Sequence, residues 1–293
     1  METKSRVVPW VMVIPAVIIP LFFVVIPFFI GIALSFTNKN VVNPNTIFIG
    51  LRNYKIIFSD RTIFLHQLKV TILYAVLAVS VEMLLGFGVA LLLNQRIKGQ
   101  KFFRSAILLP LMTAPVLTAL MWKLMLNPSG GFAVVNYFLS FLGLEPVLWL
   151  SNPNIVLLTV VGIDVYIYTP FVVIIILAGL QALPKEPYEA AAIDNAPKWF
   201  IFKKLTLPML KPLILLVLLM RLIMALKMVD TIIVTTKGGP VRLTRTLHVG
   251  AYIEAFKQGN IAIALATMTI LFIVIFIICM SLVNAMQKKT IEL

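Results

Sequence analysis

Residues 184–212 read PKEPYEAAAIDNAPKWFIFKKLTLPMLKP, a polar island between two long apolar runs. Pro184 and Pro187 suit the first turn of a helix, where a missing amide costs little. Tyr188 to Ile193 then favours helix: Glu189 sits near the positive N-terminus, and Ala190, Ala191 and Ala192 follow it. Asp194 and Asn195 break the helix, and Asn is one of the few non-glycine residues that tolerate a left-handed turn. Ala196 and Pro197 open a second helix, with Trp199, Phe200 and Phe202 on an apolar face and Lys203 and Lys204 on a basic one. Pro208 and Pro212 lead into the next apolar run. The pattern predicts two short helices outside a bilayer, a partly apolar feature for a soluble partner to grip.

The surroundings of the island set the class. Of 293 residues 61% are hydrophobic and only 12% are charged, with a mean hydropathy of +1.03. A soluble domain is typically about a quarter charged, so a soluble fold is excluded. Several runs reach the roughly 20 residues that span a hydrocarbon core as helix. Their continuity argues against a β-barrel, whose strands alternate. The net charge of +14 fits basic loops that orient helices and meet anionic lipid, and no basic cluster interleaved with stacking aromatics indicates nucleic acid. Cys279, the one cysteine, reads as a small packed side chain, and His66 and His248 have no metal-ligand spacing around them.

The sequence predicts six spans, at about Val8–Phe36, Phe64–Leu93, Phe103–Leu126, Ile155–Leu180, Leu210–Val234 and Ile261–Met286. Pro15, Pro20 and Pro27 should kink the first, and Pro110 and Pro115 lie inside the third. A short interfacial helix is expected around Tyr54 to Phe58. Orientation follows Lys and Arg. With the N-terminus inside, thirteen fall on the inner side, among them Lys4, Arg6, Arg96, Lys203 and Lys204, against eight outside. The stretch Asn127–Asn154 carries none, as suits an outer loop. Both termini are therefore expected to be cytoplasmic. No internal repeat is apparent, and the chain reads as one integral domain.

The island resembles the cytoplasmic loop of permease subunits in ATP-binding-cassette importers, in the carbohydrate-uptake branch exemplified by the maltose transporter. That family's loop runs Glu-Ala-Ala, Gly, then Leu-Pro. Here Glu189, Ala190 and Ala191 are followed by Asn195 at the usual glycine position, then by Leu207 and Pro208. Elsewhere Phe48, Gly50, Leu51, Asn53 and Tyr54 resemble the family's short external motif. Gly86, Gly88, Phe103, Arg104, Leu109 and Pro110 resemble its second and third spans. Thr236, Gly238, Gly239 and Pro240 resemble its loop after the fifth span, and Thr246, Tyr252, Ala255 and Phe256 the segment beyond that loop. The resemblance covers nearly the whole chain. It implies an all-α integral membrane fold with six transmembrane helices and a cytoplasmic coupling-helix pair within 184–208. It also implies a bacterial or archaeal cytoplasmic (inner) membrane location and half of a translocation pathway for a sugar, glycoside or polyol. The implied partners are a second homologous permease subunit forming a heterodimer, a cytoplasmic ATPase dimer and an extracytoplasmic solute-binding protein. ATP and Mg would act on the ATPase, with no cofactor in this chain. Tyr188, Glu189, Ala190, Ala191, Asp194, Asn195 and Ala196 would couple to the ATPase.

Ionisable residues at membrane depth are costly and mark pathways or pairings. Glu82, Asp164, Arg221, Lys227 and Asp230 are the candidates. Lys227 and Asp230 stand three apart, so on one helix they share a face and can pair with each other; alternatively they line the path of a hydroxyl-rich solute. Asp164 and Tyr166 offer similar groups on the fourth span, though Tyr166 and Tyr168 equally suit an interfacial belt. Gly238-Gly239-Pro240 reads either as a plain turn or as a working part of the outer loop. A secondary carrier driven by an ion gradient is the alternative function, but carriers usually show repeated halves and broken helices. A membrane glycosyltransferase would need acidic loop clusters. The chain lacks a glycine-rich loop ending in Gly-Lys-Ser/Thr. The isolated chain, purified free of ATPase subunits, is therefore expected to turn over ATP no faster than a buffer blank; measurable turnover would contradict this.

Overall fold

The computed structural model describes residues 7–42, 45–95, 98–128 and 133–291. Lys4, Arg6 and Arg96, which entered the orientation argument, lie outside the described residues. Contacts divide the chain into two compact units: Met1–Leu65 with Gly250–Ile273, and His66–Val249 with Val274–Leu293.

The first unit begins with α1 (Val7–Pro20) and α2 (Ile26–Ser35), joined by one π turn over Leu21–Val25. There the Ile26 amide bonds to the carbonyl of Leu21. Proline explains the turn, because it lacks an amide and its ring pushes on the carbonyl four residues back. No side chain from 12 to 30 is buried, as a lipid-facing segment allows. The expected interfacial helix is α3 (Arg52–Ser59). Buried Asn53 moors it, donating to the carbonyls of Ser35 and Thr37 at 2.7 and 2.8 Å, while Tyr54 shares a 2.7 Å hydrogen bond with Ser35. Asn53 and Tyr54 of the external motif are thus structural anchors for the end of α2.

The second unit holds the buried core. Its helices are most of α4 (Arg61–Asn94), then α5 (Gln100–Met112), α6 (Pro115–Met125), α7 (Val134–Phe141), α8 (Val156–Ala182), α9 (Glu186–Ile193), α10 (Lys198–Ile201), α11 (Leu207–Leu226) and α12 (Asp230–Thr235). The last helices, α13 (Leu247–Phe256) and α14 (Ile261–Ile291), contribute to both units. Ala90, Val172, Ile176, Leu210 and Val217 join α4, α8 and α11 in one apolar cluster. Two glycines permit the approach. A Cβ on Gly86 of α4 would lie 2.6 Å from Val172 of α8, and one on Gly179 of α8 would collide with Leu213 of α11. A second cluster sets Ala75 and Val79 of α4 against Ala225 and Leu226 of α11.

Among the described residues, five helical segments are long and apolar enough to cross a membrane, and a bent pair taken as one span brings the count to six. That pair, α5 and α6, covers the expected third span at Phe103–Leu126 and turns by 95° at Thr113–Ala114. Pro115 is the cause. It drives the preceding residue out of helical geometry, and Ala114 is extended at φ −61°, ψ 130°. The fifth span, expected as Leu210–Val234, lies within one crossing segment, Lys198–Thr235, whose helix is interrupted at Lys227–Val229.

Because the α4–α8 contact depends on a missing side chain, Gly86→Val should destabilise the protein by about 1–3 kcal/mol through overpacking. Gly88→Ala, whose added carbon meets nothing within 4 Å, should be neutral or slightly stabilising. Thermal melting of the detergent-solubilised protein compares the two.

Candidate functional site

The island forms the two expected helices, α9 and α10. Glu186 and Glu189 occupy the first turn of α9, where the helix dipole favours acid. At its end the Asn195 amide donates to the carbonyl of Ala192 at 3.2 Å and the Ala196 amide to that of Ala191 at 2.9 Å. With Asn195 at φ +49°, this is a Schellman closure, with asparagine at the left-handed position that glycine usually takes. Pro197 then caps α10 in extended geometry. A π turn over Phe202–Thr206, upstream of Pro208, carries α10 into α11, so the helical run extends from Lys198 to Leu226. Tyr188 reaches across to donate to Thr206 at 3.0 Å, tying α9 to the foot of that run. Phe202 packs edge-on against Phe87 of α4. The outer faces remain bare: Ile193 is 81% exposed and Trp199 70%, and Glu189, Ala190, Asp194 and Asn195 are exposed as well. Ala191 is buried and Ala196 half-buried.

Within three of the candidate spans, three of the flagged residues meet. Arg221 of α11 donates through Nε to Glu82 Oε2 at 2.5 Å and through Nη2 to Glu82 Oε1 at 2.6 Å. The same Nη2 reaches Asp164 Oδ2 of α8 at 3.1 Å. All three side chains have no exposure. The Tyr168 ring lies 4.3 Å from the guanidinium carbon, a cation–π contact. Removing one partner of such a buried set costs about 3–5 kcal/mol, whereas replacing all of it by apolar groups can be neutral. Asp164 is therefore engaged by Arg221 and has no exposure. Tyr166, two residues on, points elsewhere: it is 40% exposed and stands edge-on to Trp122 at 5.3 Å.

Lys227 and Asp230 do not share a continuous helix face. The amides of Lys227 and Met228 turn back in tight three-residue bonds to Met224 and Ala225, ending α11, and Asp230 starts α12. Among the described residues no ion pair joins them, and both are exposed. The break is held from outside. His248 Nδ1 donates to the freed carbonyl of Lys227 at 2.5 Å. Burial pulls the pKa of that imidazole below its ordinary value, against the opposing pull of the Lys227 carbonyl and of Asp230. Lys123 Nζ of α6 donates to the carbonyl of Val234 at 2.8 Å, a cation at the C-terminal end of α12. Beyond α12, Gly238 (φ +86°) lies in a turn closed by a 2.7 Å bond between the hydroxyls of Thr236 and Thr244. A cleft of about 510 Å³, lined in part by Lys123, Asn127, Ser151, Thr235 and Thr236, opens between α6 and this turn.

The sequence named Glu82, Asp164 and Arg221 without joining them; two acids and one arginine on three apolar spans were the available sign. His248 and Lys123 as braces of the broken span were missed, since nothing local marks them. For the loop, Asn195→Gly should leave stability unchanged. Asn195→Val should cost about 1–2 kcal/mol for forcing a β-branched residue into left-handed geometry. Limited proteolysis of the loop in the two variants measures the difference.

Comparison with known proteins shows the family. Residues 82–292 match the family model described as binding-protein-dependent transport system inner membrane component. The trehalose/maltose transport system permease protein MalF of Thermococcus litoralis is 36% identical over 91% of this chain and 89% of its own length. The multiple sugar-binding transport system permease protein MsmF of Streptococcus mutans is 32% identical over 95% of each. In fold, the chain resembles a solved bacterial ABC transporter involved in the import of the acidic polysaccharide alginate, with a TM-score of 0.84, 24% identity, and coverage of 98% of this chain and 97% of that one. A multi-pass membrane protein built around an exposed helix pair and a broken fifth span, the chain belongs to the family of binding-protein-dependent transport system inner membrane components.

Proposed function

We propose that the chain forms half of the translocation pathway of an ATP-driven importer for a sugar, glycoside or polyol. The observation that carries this reading is the loop: α9 closes on Asn195 and is tied by Tyr188 to Thr206, and the helical run beyond it enters the fifth span without a flexible joint. Such a piece, apolar and bare at Ile193 and Trp199, suits a cleft on a soluble motor. Nucleotide-driven closure of the motor then moves helices within the membrane.

In this reading residues 1–293 act as one permease domain, with 184–208 as the coupling loop. The loop and both termini face the cytoplasm. The partners are a second homologous permease subunit, an ATPase dimer that uses ATP and Mg, and an extracytoplasmic binding protein. The transport names of MalF and MsmF support a carbohydrate as solute. Lys227 and Asp230, exposed at the break, and Tyr166, exposed on α8, supply hydrogen-bonding and stacking groups for hydroxyls and sugar faces. The cleft beside Lys123 falls within the roughly 300–1,000 Å³ usual for small-molecule sites. Asp164 acts by holding Arg221.

Glu189→Lys tests the loop. It should leave membrane insertion intact and lower the ATPase recovered with the complex by about tenfold or more, because about 1.4 kcal/mol of lost interface energy is tenfold in affinity. Normal recruitment together with normal uptake would sink the docking role.

A further inference from the structure

We propose that Arg221 is a positioning residue for transport: with Glu82 and Asp164 it makes α4, α8 and α11 move as one body, so that a displacement of the coupling loop arrives undiminished at the break at Lys227–Val229. The proposal rests on the importer reading above.

Three observations carry it. First, Arg221 lies on the same helical run as the loop, in α11, which is unbroken from Leu207 to Leu226, and the break follows six residues later. One helix thus joins the exposed foot, the charged cluster and the point where the helix is interrupted. Second, the contact is a fork. Two nitrogens of Arg221 meet two oxygens of Glu82 at 2.5 and 2.6 Å, and one of them also holds Asp164. Apolar faces can slide by small rotamer changes, whereas a bidentate pair fixes depth and rotation together. Third, the cluster is fully buried, and stability alone is a poor reason for it. An apolar set of similar volume would serve the fold as well or better, and charge within a membrane is expensive. A requirement for fixed register accounts for charges here.

The arrangement assigns separate tasks. The apolar cluster below, with Val172, Leu210 and Val217, supplies adhesion. Arg221 supplies register. Above it, His248 on the Lys227 carbonyl and Lys123 on the Val234 carbonyl hold the short segment that must reorient.

The test uses the complete transporter in proteoliposomes: this chain, its partner permease, the ATPase pair and the binding protein purified with its natural ligand. The readout is the ratio of ATP hydrolysis with binding protein to hydrolysis without it, which reports communication across the membrane. E82Q/D164N/R221M removes every charge of the cluster. It should assemble in parental yield and hydrolyse ATP, but with the stimulation ratio reduced to near one. R221K keeps the charge and loses the fork, and it should give a reduced ratio at unchanged yield. A parental ratio in an assembled triple variant would overturn the proposal and leave the cluster as scaffolding. If the triple variant does not assemble, R221K decides: a reduced ratio supports the proposal, and a parental ratio at parental yield overturns it. A parental complex that neither retains the ATPase nor responds to the binding protein would instead refute the importer reading, and the proposal falls with it.

Discussion

A guanidinium held between two carboxylates, with no route to water, is the constraint around which the second unit is arranged. Arg221, Glu82 and Asp164 come from three different spans and have no exposure. None could be left alone in hydrocarbon without a penalty of several kcal/mol. Their meeting therefore fixes the depth and rotation of α4, α8 and α11 at once. The close approaches at Gly86 and Gly179 are compatible with that one arrangement. Shifted by a single residue, either helix would present a side chain where its neighbour needs space.

Rigidity is distributed unevenly from that point. Toward the α9–α10 loop the helical run continues through a π turn and is braced by Tyr188 on Thr206 and by Phe202 against Phe87. Away from the loop the helix ends within two turns, and its continuation is short. The brace on the Lys227 carbonyl is a half-buried histidine, and the brace on α12 is a lysine. Stiff below and segmented above is the division expected of a part that receives force at one end and changes shape at the other.

Most of this was legible in the sequence where the cause is local. Continuous apolar runs placed α4, α8 and α14 within a few residues, and the loop helices followed from Pro187, the alanines and Pro197. Asn195 reads as a left-handed closure because few other side chains accept it, and it has φ +49°. Where the cause is remote, the sequence misleads. Lys227 and Asp230 look like one helix face because no proline or glycine marks the break. The side chains that bond its backbone come from far along the chain: His248, twenty-one residues from Lys227, and Lys123, over a hundred from Val234. The Glu82–Arg221 fork spans 139 residues, and composition cannot choose which acid an arginine meets. Pro115 is visible, yet it reads as a kink inside a span, whereas its effect on Ala114 turns the chain by 95°.

That bend bears on how the protein is made. At about 1.5 Å per residue, the 13 residues of α5 and the 11 of α6 measure roughly 20 and 17 Å, and neither alone crosses a core of about 30 Å. An insertion machinery that releases spans one at a time meets here two pieces that do not qualify separately. Moreover, α5 carries Lys101 and Arg104 in its first turns, and α6 carries Lys123, whose Val234 partner has not yet been synthesised. The Lys123 contact therefore cannot form until α12 has been made. The contact that fixes the end of α6 thus spans 111 residues of sequence, and it is among the last that this part of the chain can make during synthesis.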